Sequence, residues 1–233
     1  MDETADYYLA RHAYVCVLRD RMVLLDTASG KYLALDASSA CSLRKHVSGW
    51  PQLESANANE AALDLLLKRQ LLTRNPSRGK PATPVQVLRA NAWLGEVRPA
   101  GCPDLSARQV WRFFRATTIA HVSKRAARLD SIVRRLSRRK AAHHPHRSVP
   151  LETLDELVRA FDWLLPLAFD KKDNCFLYCL ALAEFLAYHR IFPDWIFGVQ
   201  DQPFRAHCWL QYREHMLTDI PFWVRELTPI MVV

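Results

Sequence analysis

Residues 174–190 read NCFLYCLALAEFLAYHR, and this stretch decides how the C-terminal half is built. Its apolar residues recur at helical spacing, so a buried amphipathic helix is expected. Cys175 stands at its mouth and Cys179 one turn further in. A packing helix has no need of a thiol at its first residue. Three readings of Cys175 are open: core packing, metal ligation and nucleophilic attack.

Downstream, DWIFGVQ (194–200), FRAHCWLQYR (204–213) and HMLTDI (215–220) read as three strands. A period of two puts Phe204, Ala206, Cys208 and Leu210 on one face, and Arg205, His207 and Trp209 on the other. Asp219 ends the third strand, 12 residues after His207, a gap that fits a hairpin. A thiol at a helix N-terminus feels the positive end of the dipole, which favours thiolate. A strand imidazole can pair with it and later protonate a leaving amine. A carboxylate on the next strand would orient that imidazole. Backbone N–H groups around Cys175 offer part of an oxyanion hole, with no evident side-chain donor for the rest. The rival is a zinc site made of Cys175, Cys179, His207 and Cys208. Neighbours on a strand point to opposite faces, which makes that set awkward, and no metal is expected.

Upstream, residues 106–139 show helical spacing, as one long helix or two. KAAHHPHRSVP (140–150) breaks the pattern, and LETLDELVRAFDWLLPLAF (151–169) resumes it until Pro166 ends or kinks it. Residues 108–147 are rich in Arg and Lys and hold a single acid, Asp130. They form either a solvated helix face with a basic connector or a docking surface. No zinc-finger, RRM or KH pattern accompanies them, so nucleic acid is not the expected partner.

The N-terminal part has another character. AYVCVL (13–18), MVLLD (22–26) and KYLAL (31–35) read as an antiparallel meander, with Gly30 at a turn. Asp36 is a good N-cap for the next helix and Gly49 a plausible stop. A second helix is expected within 57–75, capped by Asn57 or Asn59, with Ala62, Leu65, Leu66 and Leu72 on its apolar side. This is a small winged-helix-like unit. NPSRGKPATP (75–84) marks its boundary. The expected organisation is α+β: this small unit at 1–80, a linker at 81–105 and the unit that carries Cys175, His207 and Asp219 at 106–233.

Half of the 233 residues are hydrophobic, enough for a packed core, and the net charge is +8. No apolar run approaches the ~20 residues of a membrane helix. The start, MDETADYYLARHA, is acidic and polar, unlike a signal peptide. A reducing cytoplasm is expected. The six cysteines, without any CxxC, are then expected to be free thiols.

The stretch from Cys175 through IFGV (196–199), PFRAHCWL (203–210) and Asp219 resembles the transglutaminase-like cysteine proteases of lasso-peptide biosynthesis, the B proteins. Their pattern has a helix-opening Cys, a strand ending in a similar Gly motif, a His-bearing strand and a terminal Asp. VLLDTASGKYLALDASSA (23–40) resembles the precursor-peptide recognition element of pyrroloquinoline-quinone D-type chaperones. Together they resemble the fused form of the B protein. The resemblance implies a papain-like catalytic unit with Cys175, His207 and Asp219 as triad. It implies that a precursor's leader peptide adds as a strand beside Tyr32, Leu33 and Leu35. It also implies that the freed core passes to an ATP-dependent, asparagine-synthetase-like cyclase. No P-loop pattern occurs, so no cofactor is expected on this chain, and any ATP dependence would come through the cyclase. An acyl-transferring transglutaminase and a non-catalytic peptide- or nucleic-acid-binding scaffold are the alternatives.

Overall fold

The computed structural model describes residues 6–19, 21–52, 61–94, 101–143, 149–171, 174–219 and 221–233, with the side chains at 221 and 223 left out. The proposed caps Asn57 and Asn59 lie outside the described residues, as do His144 and His146 of the basic loop.

The N-terminal unit opens with β1 (Tyr8–Ala10), β2 (Ala13–Leu18), β3 (Arg21–Asp26) and β4 (Lys31–Asp36). The last three form the expected meander, in continuous antiparallel register from Ala13↔Asp26 to Asp26↔Lys31. The turn between β3 and β4 is fixed by its own chemistry. The Asp26 carboxylate accepts the N–H of Ala28 at 2.8 Å, and Gly30 takes φ +73°. Asp36 then caps α1 (Ala37–Leu43), accepting the Ser39 N–H at 3.0 Å. The helix ends six residues before Gly49, which instead takes φ +69° in a later turn. A side chain there would meet Pro81 Cβ at 2.9 Å, so Gly49 answers to a close approach and not to helix termination.

Helix α2 (Ala61–Lys68) buries Ala62 and Leu66. Leu72 is buried too, but on β5 (Leu72–Thr73) rather than on the helix. Beyond a short turn capped by Asn75, β6 (Gly79–Lys80) pairs with β1, as β5 does on its other side. Ala82 is buried in the same small core. Residues 79–82 thus pack as part of the N-terminal unit, and β7 (Ala92–Trp93) already joins the C-terminal sheet.

Two helices fill the basic middle. α3 (Ala107–Ala126) starts with a capping box between Ser106 and Gln109. α4 (Leu129–Ala142) begins where the Asp130 N–H donates to the carbonyl of Thr27, a tie to the N-terminal unit. α5 (Leu151–Leu164) runs into a single 3-10 turn holding Pro166. α6 (Cys175–Ala187) is buried at every position from Leu177 to Leu186. It is the central helix of the fold, apolar all round rather than amphipathic. Its one acid, Glu184, is buried and held by Arg135 at 2.6 Å and Arg139 at 2.5 Å. Part of the basic middle therefore neutralises a core carboxylate.

The second sheet contains β8 (Asp194–Gln200), β9 (Arg205–Tyr212), β10 (His215–Met216) and, after the short α7 (Pro221–Val224), β11 (Thr228–Val232). Its order is β11-β8-β9-β10-β7. β10 is shorter than HMLTDI suggests. β7 and β11 carry no strand signal in the sequence: one is two residues long and the other contains Pro229. The first sheet has two working faces. Val15, Met22, Leu24 and Leu35 pack with α1 and α2, while Cys16, Leu18, Val23 and Leu25 join the core that surrounds α6. No helix among the described residues is long and apolar enough to cross a membrane.

Candidate active site

Cys175 is the first residue of α6, half-buried at the rim of the main core. The preceding Asn174 does not cap the helix with its side chain. Its carboxamide accepts from Lys124 Nζ at 3.1 Å and donates to the Asp170 carbonyl at 3.3 Å. The first-turn N–H groups thus have no side-chain cap, as an oxyanion site requires.

His207 lies on β9, opposite Gly198 of β8. Its Nε2 is 3.3 Å from Asp219 Oδ1, and the Cys175 side chain lies close enough to influence its protonation. Asp219 lies just beyond β10, in a bend rather than at a strand end. The chain still follows β9 there: the Leu217 N–H donates to the Leu210 carbonyl at 2.9 Å. Thr218 then fixes the carboxylate. Its hydroxyl accepts the Leu210 N–H at 3.0 Å and donates to Asp219 Oδ2 at 3.0 Å. Sequence reasoning passes over Thr218, whose only signal is its place beside Asp219.

The imidazole is pushed up to about 9, chiefly by its hydrogen bond to Asp219 and next by Cys175. The thiol does not follow the helix-dipole expectation. It is pushed up to about 12, first by a hydrogen bond with the Cys208 thiol and then by burial, while His207 pulls the other way. Cys175 therefore lies within the influence of both His207 and its strand neighbour Cys208. Cys179 is fully buried, with its thiol donating to the Cys208 carbonyl at 3.3 Å. Among the described residues there is no group of three or more His, Cys, Asp or Glu that could hold a metal ion.

The indole of Trp209 stacks near His207, with centroids 6.4 Å apart, and is itself buried. Its six-membered ring lies across Gly198, where a Cβ would meet it at 2.8 Å. Gly198 is thus required by the ring beside the candidate base.

The three residues expected along a leader site part company. Leu35 is buried in the N-terminal core, and Leu33 packs partly against it. Tyr32 turns to the other face, against the core that carries Cys175. β4 pairs only with β3 among the described strands, so its outer edge is open. Beside it runs a groove with about 740 Å³ of empty space, lined by Leu24, Lys31, Tyr32, Leu33, Arg69 and Leu71.

Residues 114–232 match the family model described as the transglutaminase-like superfamily. The match covers just over half of the chain and includes Cys175, His207 and Asp219. The chain belongs to this superfamily. No curated protein and no solved structure matches it.

Proposed function

We propose that this transglutaminase-like chain is a leader peptidase for a ribosomally made precursor of the lasso-peptide kind. The observation that carries the reading is the alignment of Cys175, His207 and Asp219 in one domain while an open strand edge and its groove lie in the other. A peptide adding to β4 would gain main-chain hydrogen bonds from the edge and side-chain contacts from the groove. His207 takes the thiol proton as Cys175 attacks the carbonyl joining leader and core. The N–H groups opening α6 receive the oxyanion. His207 then protonates the leaving amine, and water releases the leader acid from the thioester. Asp219, held by Thr218, keeps the ring oriented.

The chemistry needs no cofactor on this chain. The released core would pass to an ATP-dependent, asparagine-synthetase-like cyclase, the second expected partner after the precursor itself. A cytoplasmic setting suits six free thiols.

The test is incubation of the chain with its precursor, followed by mass spectrometry. Wild type should release the leader, and Cys175→Ala should not. Cys179→Ser should be far milder, since that thiol bonds a backbone carbonyl. Cleavage by Cys175→Ala at the wild-type rate would overturn the nucleophile assignment. The same triad supports acyl transfer if an amine replaces water. Product mass separates the two, because hydrolysis adds water and transfer adds the amine.

A further inference from the structure

The face of the N-terminal sheet that turns away from α1 and α2 packs onto the catalytic core. Tyr32 pairs in register with Leu25 on that face, at the free edge of the sheet. Its ring meets Phe204 edge-on at 5.5 Å. Phe204 is half-exposed and directly precedes β9, three residues before His207. The Arg21–Asp201 ion pair, at 3.2 Å, ties the start of β3 to the turn that holds Phe204. Tyr32 and Cys175 pack on the same core cluster from opposite units. Among the described residues the Tyr32 hydroxyl has no hydrogen-bond partner. The same residue also lines the groove along the β4 edge.

We propose that Tyr32 and Phe204 form a substrate subsite shared between the two units, seating the residue next to the scissile bond while the chain beyond it pairs with β4. This rests on the peptidase reading above and adds to it a place for one side chain. The ligand is a peptide in extended conformation with an apolar side chain against the two rings. The phenol donates to a carbonyl of that peptide. Burial and the nearby thiols of Cys208 and Cys175 push Tyr32 up to about 12, so it keeps its donor proton throughout the neutral range. The hydroxyl is open to solvent, so a peptide carbonyl can take the place of water on it. Recognition edge and catalytic pair are then contiguous, so the register of the peptide on β4 selects the bond presented to Cys175.

The experiment compares two reagents on the full chain, with labelling of Cys175 followed by mass spectrometry. Iodoacetamide reports thiol reactivity alone. Acetyl-Gly-Val chloromethyl ketone, whose Val stands next to the reacting carbon, also reports how a peptide is seated. Relative to iodoacetamide, Tyr32→Phe should slow the peptide reagent about two- to tenfold, the loss of one hydrogen bond. Tyr32→Ala and Phe204→Ala should slow it about tenfold or more, as ring contacts go too. An unchanged thermal melt of Tyr32→Phe, which keeps the ring, removes misfolding as a cause. Unchanged reagent ratios in all three variants would overturn the shared subsite and leave the peptidase reading standing. A wild-type Cys175 with no preference for the peptide reagent would overturn both.

Discussion

The side chain of Cys208, the neighbour of the candidate base, lies close enough to Cys175 to hold the thiol's proton in place. That contact is the largest influence holding the Cys175 proton in place, ahead of burial. The pair with His207 is therefore fully protonated near neutrality, and the attacking form grows as pH rises through about 9, where His207 loses its proton. Cys208→Ala removes the contact that raises the thiol. Iodoacetamide labelling of Cys175 followed against pH should rise in two limbs, one with His207 near 9 and one with ionisation of the thiol itself, and Cys208→Ala should move the second limb to lower pH while leaving the first. A second limb that stays or moves upward would show that Cys208 does not hold the proton.

Asp219→Asn should lower the His207 pKa from about 9, because the hydrogen bond to Asp219 is its first cause. It should slow cleavage less than His207→Ala, which removes the proton carrier itself and costs about 10²–10⁴-fold. Proton NMR of the His207 ring gives the first quantity and the precursor assay the second. Near-wild-type cleavage by both variants would mean that the triad sits elsewhere.

Gly198→Ala forces a Cβ to within 2.8 Å of the Trp209 ring and 3.1 Å of Leu227. Both neighbours are buried, and Trp209 cannot shift without disturbing the strand that holds His207. Overpacking of this kind destabilises by about 1–3 kcal/mol. Urea unfolding should show that loss, together with slower cleavage. A variant as stable and active as wild type would mean that the ring has room to move.

Arg135→Ala with Arg139→Ala leaves Glu184 buried without its two cations. Stranding a buried charge costs about 3 kcal/mol or more. Adding Glu184→Gln to the double variant removes the charge and should return much of the loss. Equal melting temperatures for the double and triple variants would show that the pair contributes little.

Much of this is legible in the chain because local chemistry dictates it. Asp26, Gly30 and Asp36 set turn and cap through their own side chains or backbone freedom. The period of two in FRAHCWLQYR puts Cys208 and Leu210 on the face that joins the core around α6 and Trp209 on the other, where it is buried in a second, smaller cluster. What cannot be read depends on contacts distant in sequence. Pro229 and the two-residue β7 acquire strand geometry only beside β8 and β10. The Cys175 thiol carries no sign that Cys208 will hold its proton. Leu33 and Leu35 look equivalent to Tyr32 as leader contacts. Strand alternation sets Tyr32 on the face opposite Leu33 and Leu35, and what the sequence does not show is that this face docks onto the catalytic core.

That docking changes what division of the chain should do. A flexible tether would let residues 1–84 and 85–233 act as independent pieces. Here Cys16, Leu18, Val23 and Leu25 are fully or nearly buried in the catalytic core, and Tyr14 and Tyr32 pack beside them. The Asp130 N–H to Thr27 carbonyl bond and the Arg21–Asp201 pair cross the same junction. Each buried aliphatic side chain contributes about 1.5–3 kcal/mol relative to exposure, so separation uncovers a substantial apolar face on both pieces. Expressed alone, each piece should aggregate or unfold at lower denaturant than the whole. Expressed together, they should copurify and cleave precursor. Size-exclusion chromatography of the co-expressed pieces and their urea midpoints measure both expectations. Two pieces that are each monomeric, as stable as the intact chain and without affinity at tens of micromolar would show that the junction is not a shared core. The subsite assigned to Tyr32 would then lose its support.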